Sequence, residues 1–399
     1  MRGLRGASFV RSFPVIFLFM SYVFRIRQVI RLPIWQANCA PYSCAVKAIH
    51  LLLVTCAATL HAQDVRLAVP PAGKLYHGLY WGGVGTDEHD PTEHDVTPNN
   101  VARYEQAVGK QVAWIYFANN WFESRKFPAE MCSWIRDLRK IPYIRLMLRS
   151  DVDQKHSEKF FSLQNIVAGK FDDDLRLWAR DAKNFGSPIL IEWGTEPNGD
   201  WFSWNGKWNG GVREGPARYI AAYRHIVDLM RAEGADNLQW VWHVNWLDEP
   251  EKDWNRFENY FPGGAYCDWV ALSAYGPTTP MTPDGAESLA FKMREAYPRL
   301  VKIAPGKPII IAEFGCDLHN RHVDAADWAK AALEDLFASR WPGVIGFCWW
   351  NEGWQNDDHI KHDTDMIILH DVDLTRVFRT EFAAHAEKIQ ETAIIAPQR

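Results

Sequence analysis

The stretch PILIEWGTEPNGDWFSWNGKWNGG, Pro188–Gly211, joins two unlike halves. Its first seven residues are apolar at almost every position, the pattern of a strand buried on both faces, as in parallel sheets. The run stops at Gly194. Two residues later a charged side chain, Glu196, opens a loop crowded with Trp201, Trp204 and Trp208. Seven further runs of the same kind lie on either side. They are YHGLYWG from Tyr76, VAWIYFA (Val112–Ala118), PYIRLML (Pro142–Leu148), LQWVWHVN (Leu238–Asn245), DWVALSAY (Asp268–Tyr275), KPIIIAEFG (Lys307–Gly315) and GVIGFCWWN (Gly343–Asn351). Amphipathic segments separate most of them. In Pro216–Gly234, Tyr219, Ile220, Tyr223, Ile226, Val227 and Met230 keep the spacing of one helical face. Pro216 suits a first helical position and Gly234 a stop. Ala129–Lys140, Asp172–Phe185, Ala286–Val301 and Ala325–Ser339 also read as helices, and the connection between the fifth and sixth runs is the least regular.

Eight such strands alternating with helices predict an α/β chain folded as a (β/α)8 TIM barrel, with a doubly wound open sheet as the alternative. No glycine-rich phosphate loop follows the first strand, which argues against a nucleotide site. No repeat, low-complexity run or linker divides residues 63–399, so one catalytic domain is expected there. The net charge of −5 gives no basic excess for nucleic acid or an acidic membrane.

Residues 1–62 differ in character. Phe13–Phe24 and Ile49–Leu60 are apolar but shorter than the ~20 residues of a membrane span. Lys47 before the second stretch and LHA after it, followed by Gln63, resemble a secretory leader cleaved after Ala62. A secreted or periplasmic mature chain, with no stable membrane span, is the expectation. An over-long start and an N-terminal anchor are the alternatives for the first stretch. Of seven cysteines, Cys39, Cys44 and Cys56 fall in this leader; Cys132, Cys267, Cys316 and Cys348 remain to pair or to act as small buried hydrophobes.

In a barrel of this kind chemistry gathers at the C-terminal ends of the strands. Two of the eight runs end in a glutamate: Glu196 closes the fourth and Glu313 the seventh. A carboxylate pair at one barrel mouth suits cleavage of a glycosidic bond, one carboxyl protonating the departing oxygen and the other attacking the anomeric carbon or activating water. Indoles around Glu196 would exclude water and present flat faces to the C–H groups of sugar rings.

GTEPNGDWFSW and KPIIIAEFG resemble the acid/base motif and the nucleophile strand of glycoside hydrolase family 26, a family of retaining (β/α)8 barrels. Ala221–Asn245 resembles that family's helix and fifth strand, Tyr260–Gly276 its sixth, and the likeness covers about Ile189 to Trp350. The resemblance implies Glu196 as general acid/base and Glu313 as nucleophile. It implies that Tyr275 hydrogen-bonds the nucleophile, that Trp201 stacks on sugar, and that Trp349 or Trp350 floors the same subsite. Trp204, Asn198, Asn245 and Trp121 are further candidates for substrate contact or positioning. No metal or organic cofactor is implied. The expected partner is a β-linked polysaccharide, cut internally by a monomer. β-1,4-Mannan comes first; β-1,3-xylan and mixed-linkage β-glucan, or carbohydrate binding without cleavage, are the alternatives. Two positions depart from the family pattern: Thr195 stands where the family usually has histidine, and Glu192 where it often has arginine. An inward Glu192 would lie near Glu196 and repel its charge.

Three other features draw attention. NDDHIKHDTD (Asn356–Asp365) is a cation site or, more simply, a solvated loop. GTDEHDPTEHD (Gly85–Asp95) lines the cleft or forms an acidic surface. Arg145 and Arg149 lie in or after the third strand, and one of the two is expected to steady the carboxylates.

Overall fold

The apolar runs become parallel strands that close on themselves. The computed structural model describes residues 66–82, 96–357 and 359–391. The leader with its cleavage point and three cysteines, the Gly85–Asp95 segment and Asp358 lie outside the described residues. The strands are β1 (Tyr76–Gly82), β2 (Trp114–Asn120), β3 (Ile141–Met147), β4 (Ile189–Trp193), β5 (Leu238–Asn245), β6 (Trp269–Ser273), β7 (Ile309–Phe314) and β8 (Val344–Trp354). They pair in chain order, and β1 pairs with β8 from Tyr76↔Gly346 to Gly82↔Glu352, which seals the barrel and excludes the open sheet. A short β9 (Thr364–Asp365) runs antiparallel to the end of β8.

The helices are α1 (Pro98–Val108), α2 (Ala129–Asp137), α3 (Leu163–Val167), α4 (Asp172–Phe185), α5 (Gly211–Ala232), α6 (Leu289–Ile303), α7 (Ala325–Phe337) and α8 (Val372–Ala384). Thr97, Ser288, Asp324 and Asp371 cap α1, α6, α7 and α8 by accepting a hydrogen bond from the backbone N–H three residues on. The irregular β5–β6 connection holds two 3₁₀ turns, Asp253–Asn255 and Phe257–Tyr260. One expectation is corrected. Helix α5 begins at Gly211, so Pro216 lies within it rather than at its start. Gly215 packs directly on the backbone of Gly206, where a Cβ would meet Gly206 Cα at 2.3 Å, and this contact holds the extra N-terminal turn.

Alternation along each strand sorts the side chains into two layers. Ile191, Val244, Leu272, Ile311 and Phe347 join the apolar stripes of the helices in the outer core. Leu190, Val241, Ala271, Ile310 and Cys348 fill the barrel with Tyr76, Trp114 and Tyr143. Strand β7 breaks the alternation. Its register against β6 shifts between Leu272↔Ile311 and Ser273↔Glu313, a β-bulge. Ala312 packs in the barrel layer, Phe314 in the outer core, and Glu313 between them also reaches the interior. Re-aiming one side chain beside a site is what such bulges do. Cys132, Cys267, Cys316 and Cys348 are buried free thiols. Among the described residues no helix is long and apolar enough to cross a membrane.

Candidate active site

At the C-terminal end of β4 the chain turns through Gly194 (φ +65°) and Glu196 (φ +48°). A Cβ on Gly194 would meet the Tyr219 ring at 2.6 Å, so only glycine fits there. A left-handed glutamate is strained and persists where its surroundings hold it. Here the Glu196 N–H donates to His243 O (2.9 Å) and its C=O accepts from Gly199 N (2.9 Å). Gly199 leaves room for the Trp201 indole, which a Cβ would strike at 2.2 Å, and Trp201 Nε1 donates to Glu196 Oε2 at 2.7 Å.

The bulge in β7 brings Glu313 to the same mouth. Tyr275 donates to its Oε2 (2.8 Å) and Tyr116 to its Oε1 (3.2 Å). Arg145 Nη2 lies 3.8 Å from Oε1. Burial pushes the Glu313 carboxyl above its ordinary range; Arg145 pulls it down, and the charge of nearby Glu196 pushes it up again. Above the carboxylates Trp350 stacks on Tyr80 (centroids 3.5 Å apart, 9° between planes) and meets Tyr116 and Tyr275 edge-on. Its Nε1 donates to Glu352 Oε2 at 2.6 Å.

Below them lies a layer of polar side chains. Glu192 points into the barrel and is fully buried. Tyr116 and Tyr143 each donate to it at 2.6 Å, His243 Nδ1 is 3.0 Å from its Oε2, and Arg145 Nε is 3.8 Å from its Oε1. Burial opposes the Glu192 charge, but His243, Arg145 and Tyr116 outweigh it and hold the carboxyl below its ordinary range. Burial likewise opposes the charge on His243, and Glu192 with Glu313 outweighs it, so the imidazole is held above its ordinary range. His243 also reaches Thr195 Oγ1 (2.9 Å) and Ser273 Oγ (2.8 Å).

The sequence model of glycosyl hydrolase family 26 matches residues 152–367, 216 of the 399 residues. The chain belongs to that family. This family 26 chain is 31% identical to endoglucanase H of Acetivibrio thermocellus over 53% of its own length and 23% of that protein's. It is 27% identical to a mannan endo-1,4-β-mannosidase of Bacillus subtilis over 48% of its length and 45% of that protein's. It thus spans less than half the length of either relative. A solved Bacillus family 26 endo-β-1,4-mannanase domain shares its fold, with TM-score 0.53, 16% identity, and 78% of this chain and 86% of that one covered.

Of the expected site residues, Glu196, Glu313, Trp201, Tyr275 and Trp350 come together at the mouth of this family 26 barrel, and Arg145 joins them from β3. Most of the others are corrections. Trp349 is fully buried on the outer side of β8, packed on Phe314 and Phe378, with Nε1 donating to Met366 O. Adjacent strand residues face opposite ways, so only one indole of the pair reaches the mouth. Trp121 is buried against Phe161 and Phe171. Trp204 lies on Phe202 and donates to Thr195 O, bracing the Glu196 turn from behind. Asn198 is fully buried and pins Asn245, Leu247 and Asp248, while Asn245 donates to Leu247 O. Asn198 holds loops rather than facing the cleft, and Asn245 ends β5 half-buried. Arg149 holds Asn120 instead of either carboxylate.

Glu192, His243 and Glu313 bring three donor atoms within 4.8 Å of one another. Each already has close phenol or hydroxyl partners, which identifies an ion-paired network rather than an open metal site. In the Asn356–Asp365 loop His362 hydrogen-bonds Asp357 and stacks on His359 at the surface. His243, Tyr116, Tyr143, Ser273, Tyr80 and Glu352 were not expected at the site. The available signal was parity: Arg145, Glu192, His243 and Ser273 are polar residues inside otherwise apolar runs.

Proposed function

We propose that this chain is a retaining endo-glycoside hydrolase acting on a β-linked polysaccharide, β-1,4-mannan before others. The observation that carries the reading is the different dressing of two carboxyls at one mouth. Glu313 receives two phenol hydrogen bonds and faces Arg145, contacts that offset part of the burial opposing its anion. Glu196 receives one indole N–H. This unequal dressing suits Glu313 to the attacking role and Glu196 to the proton-donating one.

Glu196 then protonates the glycosidic oxygen while Glu313 attacks the anomeric carbon, and the leaving chain departs from a covalent glycosyl-enzyme. Glu196 next takes a proton from water, the water oxygen bonds to the same carbon, and Glu313 is released. Two displacements retain configuration. Trp350, fixed by Tyr80 and Glu352, offers a flat floor for the reacting sugar. The relatives named for mannan and glucan cleavage support β-linked hexose polymers as the substrate class.

Glu313→Ala should lower kcat on β-1,4-mannan by at least about 10³, roughly 4 kcal/mol of barrier, with the fold retained by circular dichroism. Near-normal turnover would remove the nucleophile assignment. Thr195 turns to His243 and Glu192 lies beneath the mouth, so neither side chain repeats the contact that the family pattern expects there. Reducing ends released from β-1,4-mannan, β-1,3-xylan and mixed-linkage β-glucan therefore decide the polymer. No release from any of them would favour binding without cleavage.

A further inference from the structure

The polar layer under the mouth can be counted by charge. His243 is faced by carboxyls from β4 (Glu192), the turn after β4 (Glu196) and β7 (Glu313). Arg145 reaches the same carboxylates from β3. The phenols of Tyr116, Tyr143 and Tyr275 and the thiol of Cys348 complete the surroundings, and burial keeps all four well above their ordinary ranges and therefore neutral. That leaves three carboxyls, one permanent cation and one histidine. Arg145 and a charged His243 are the cations that face Glu192 and Glu313, so a charge on His243 narrows the excess of carboxylate charge in the layer. A neutral imidazole would widen that excess, and Glu313, which burial already pushes toward its neutral form, is the carboxyl that would feel it.

The hydrogen bonds agree with a charged ring. Nδ1 faces the Glu192 carboxylate at 3.0 Å and Nε2 faces Ser273 Oγ at 2.8 Å, so both ring nitrogens can donate. Glu192 and Glu313 also share Tyr116, whose hydroxyl lies 2.6 Å from one and 3.2 Å from the other. A change of charge on Glu192 or His243 therefore reaches Glu313 through one shared donor as well as through space.

We propose that His243 and Glu192 form a buried positioning pair whose imidazolium supplies the charge that keeps Glu313 ionised for attack. The pair stands where the family resemblance places arginine at position 192 and histidine at position 195, and it delivers a cation to the same region from β5 instead. The proposal rests on Glu313 being the nucleophile, and its test has a readout that does not. In ¹⁵N-histidine-labelled wild-type protein, the His243 ring should be protonated on both nitrogens at pH 6 and titrate above free histidine. A neutral ring at pH 6 overturns the proposal whether or not the protein cleaves any polymer.

The second readout is the acidic limb of kcat/KM against pH on β-1,4-mannan. His243→Gln should move that limb up by about one pH unit, because Glu313 then ionises beside an unbalanced Glu192. Glu192→Gln combined with His243→Gln restores the charge count and should bring the limb back toward the wild-type position. A wild-type limb in His243→Gln, or the same displacement in the single and double variants, overturns the proposal. If the single variant does not fold, the double variant and the ring titration decide it.

Discussion

Glu313 is held by conflicting demands. The residue is 3% exposed and its carboxyl is pushed above its ordinary range by burial first, although the proposed attack on a sugar needs it ionised. A group whose folded pKa is raised stabilises the fold most below its unfolded value and loses that contribution as pH rises through the folded one. At neutral pH an ionised Glu313 is therefore a load on the fold. Glu313→Gln keeps the shape and removes the charge. It should abolish turnover yet raise Tm by roughly 2 °C, the change expected for about 1 kcal/mol in a domain of this size. Calorimetry of the purified variant checks it, and a lower Tm would show that the anion is over-compensated by its donors. The residue scale also separates what could be read in advance from what could not. Glu196 and Glu313 were legible because each ends an apolar run with a charge. Trp349 and Trp350 were not separable, since both directions of alternation are apolar in β8 and only the closed barrel tells inside from outside. Trp121 and Trp204 misled because tryptophan next to a cleft is as well suited to bracing it as to lining it.

At the scale of elements the strands were visible and their polar members were misjudged. Arg145, Glu192 and His243 sit on three consecutive strands, β3, β4 and β5, and meet inside the barrel. Apolar runs announce buried strands, but one polar residue within a run does not say whether it faces the barrel or the helices. The bulge in β7 was equally hidden, because KPIIIAEFG carries no glycine or proline where the extra residue is accommodated. Pairing within this layer has an energetic signature. Removing one partner of a buried ion pair leaves the other charge uncompensated, at a cost of about 3–5 kcal/mol, whereas replacing both is often nearly neutral. Glu192→Gln and His243→Gln should each lower stability to urea by about 3 kcal/mol, and the double variant by clearly less than their sum. Additive losses would mean that the two side chains act through separate neighbours.

Across the whole molecule, these buried charges should shape the dependence of stability on pH, because they titrate inside the barrel rather than at the surface. Glu192 has a lowered pKa, so its contribution is complete above the ordinary glutamate value of 4.5 and is lost as pH falls through its folded value. His243 has a raised pKa, so its contribution is complete below the ordinary histidine value of 6.5 and is lost as pH rises through its folded value. Glu313, also raised, is complete only below the ordinary glutamate value of 4.5 and loses its contribution as pH rises through its folded value. The pair is therefore fully effective between about pH 4.5 and 6.5, and Tm should be highest in that window, not near pH 8. Surface pairs such as Arg176–Glu233 are screened by salt and add little to this profile. The difference in Tm between wild type and Glu192→Gln/His243→Gln, followed from pH 3 to 9 at 0.15 M salt, isolates the pair from every other titrating group. It should be greatest inside the window and shrink on both sides. A difference independent of pH would place the stabilisation in packing rather than in charge.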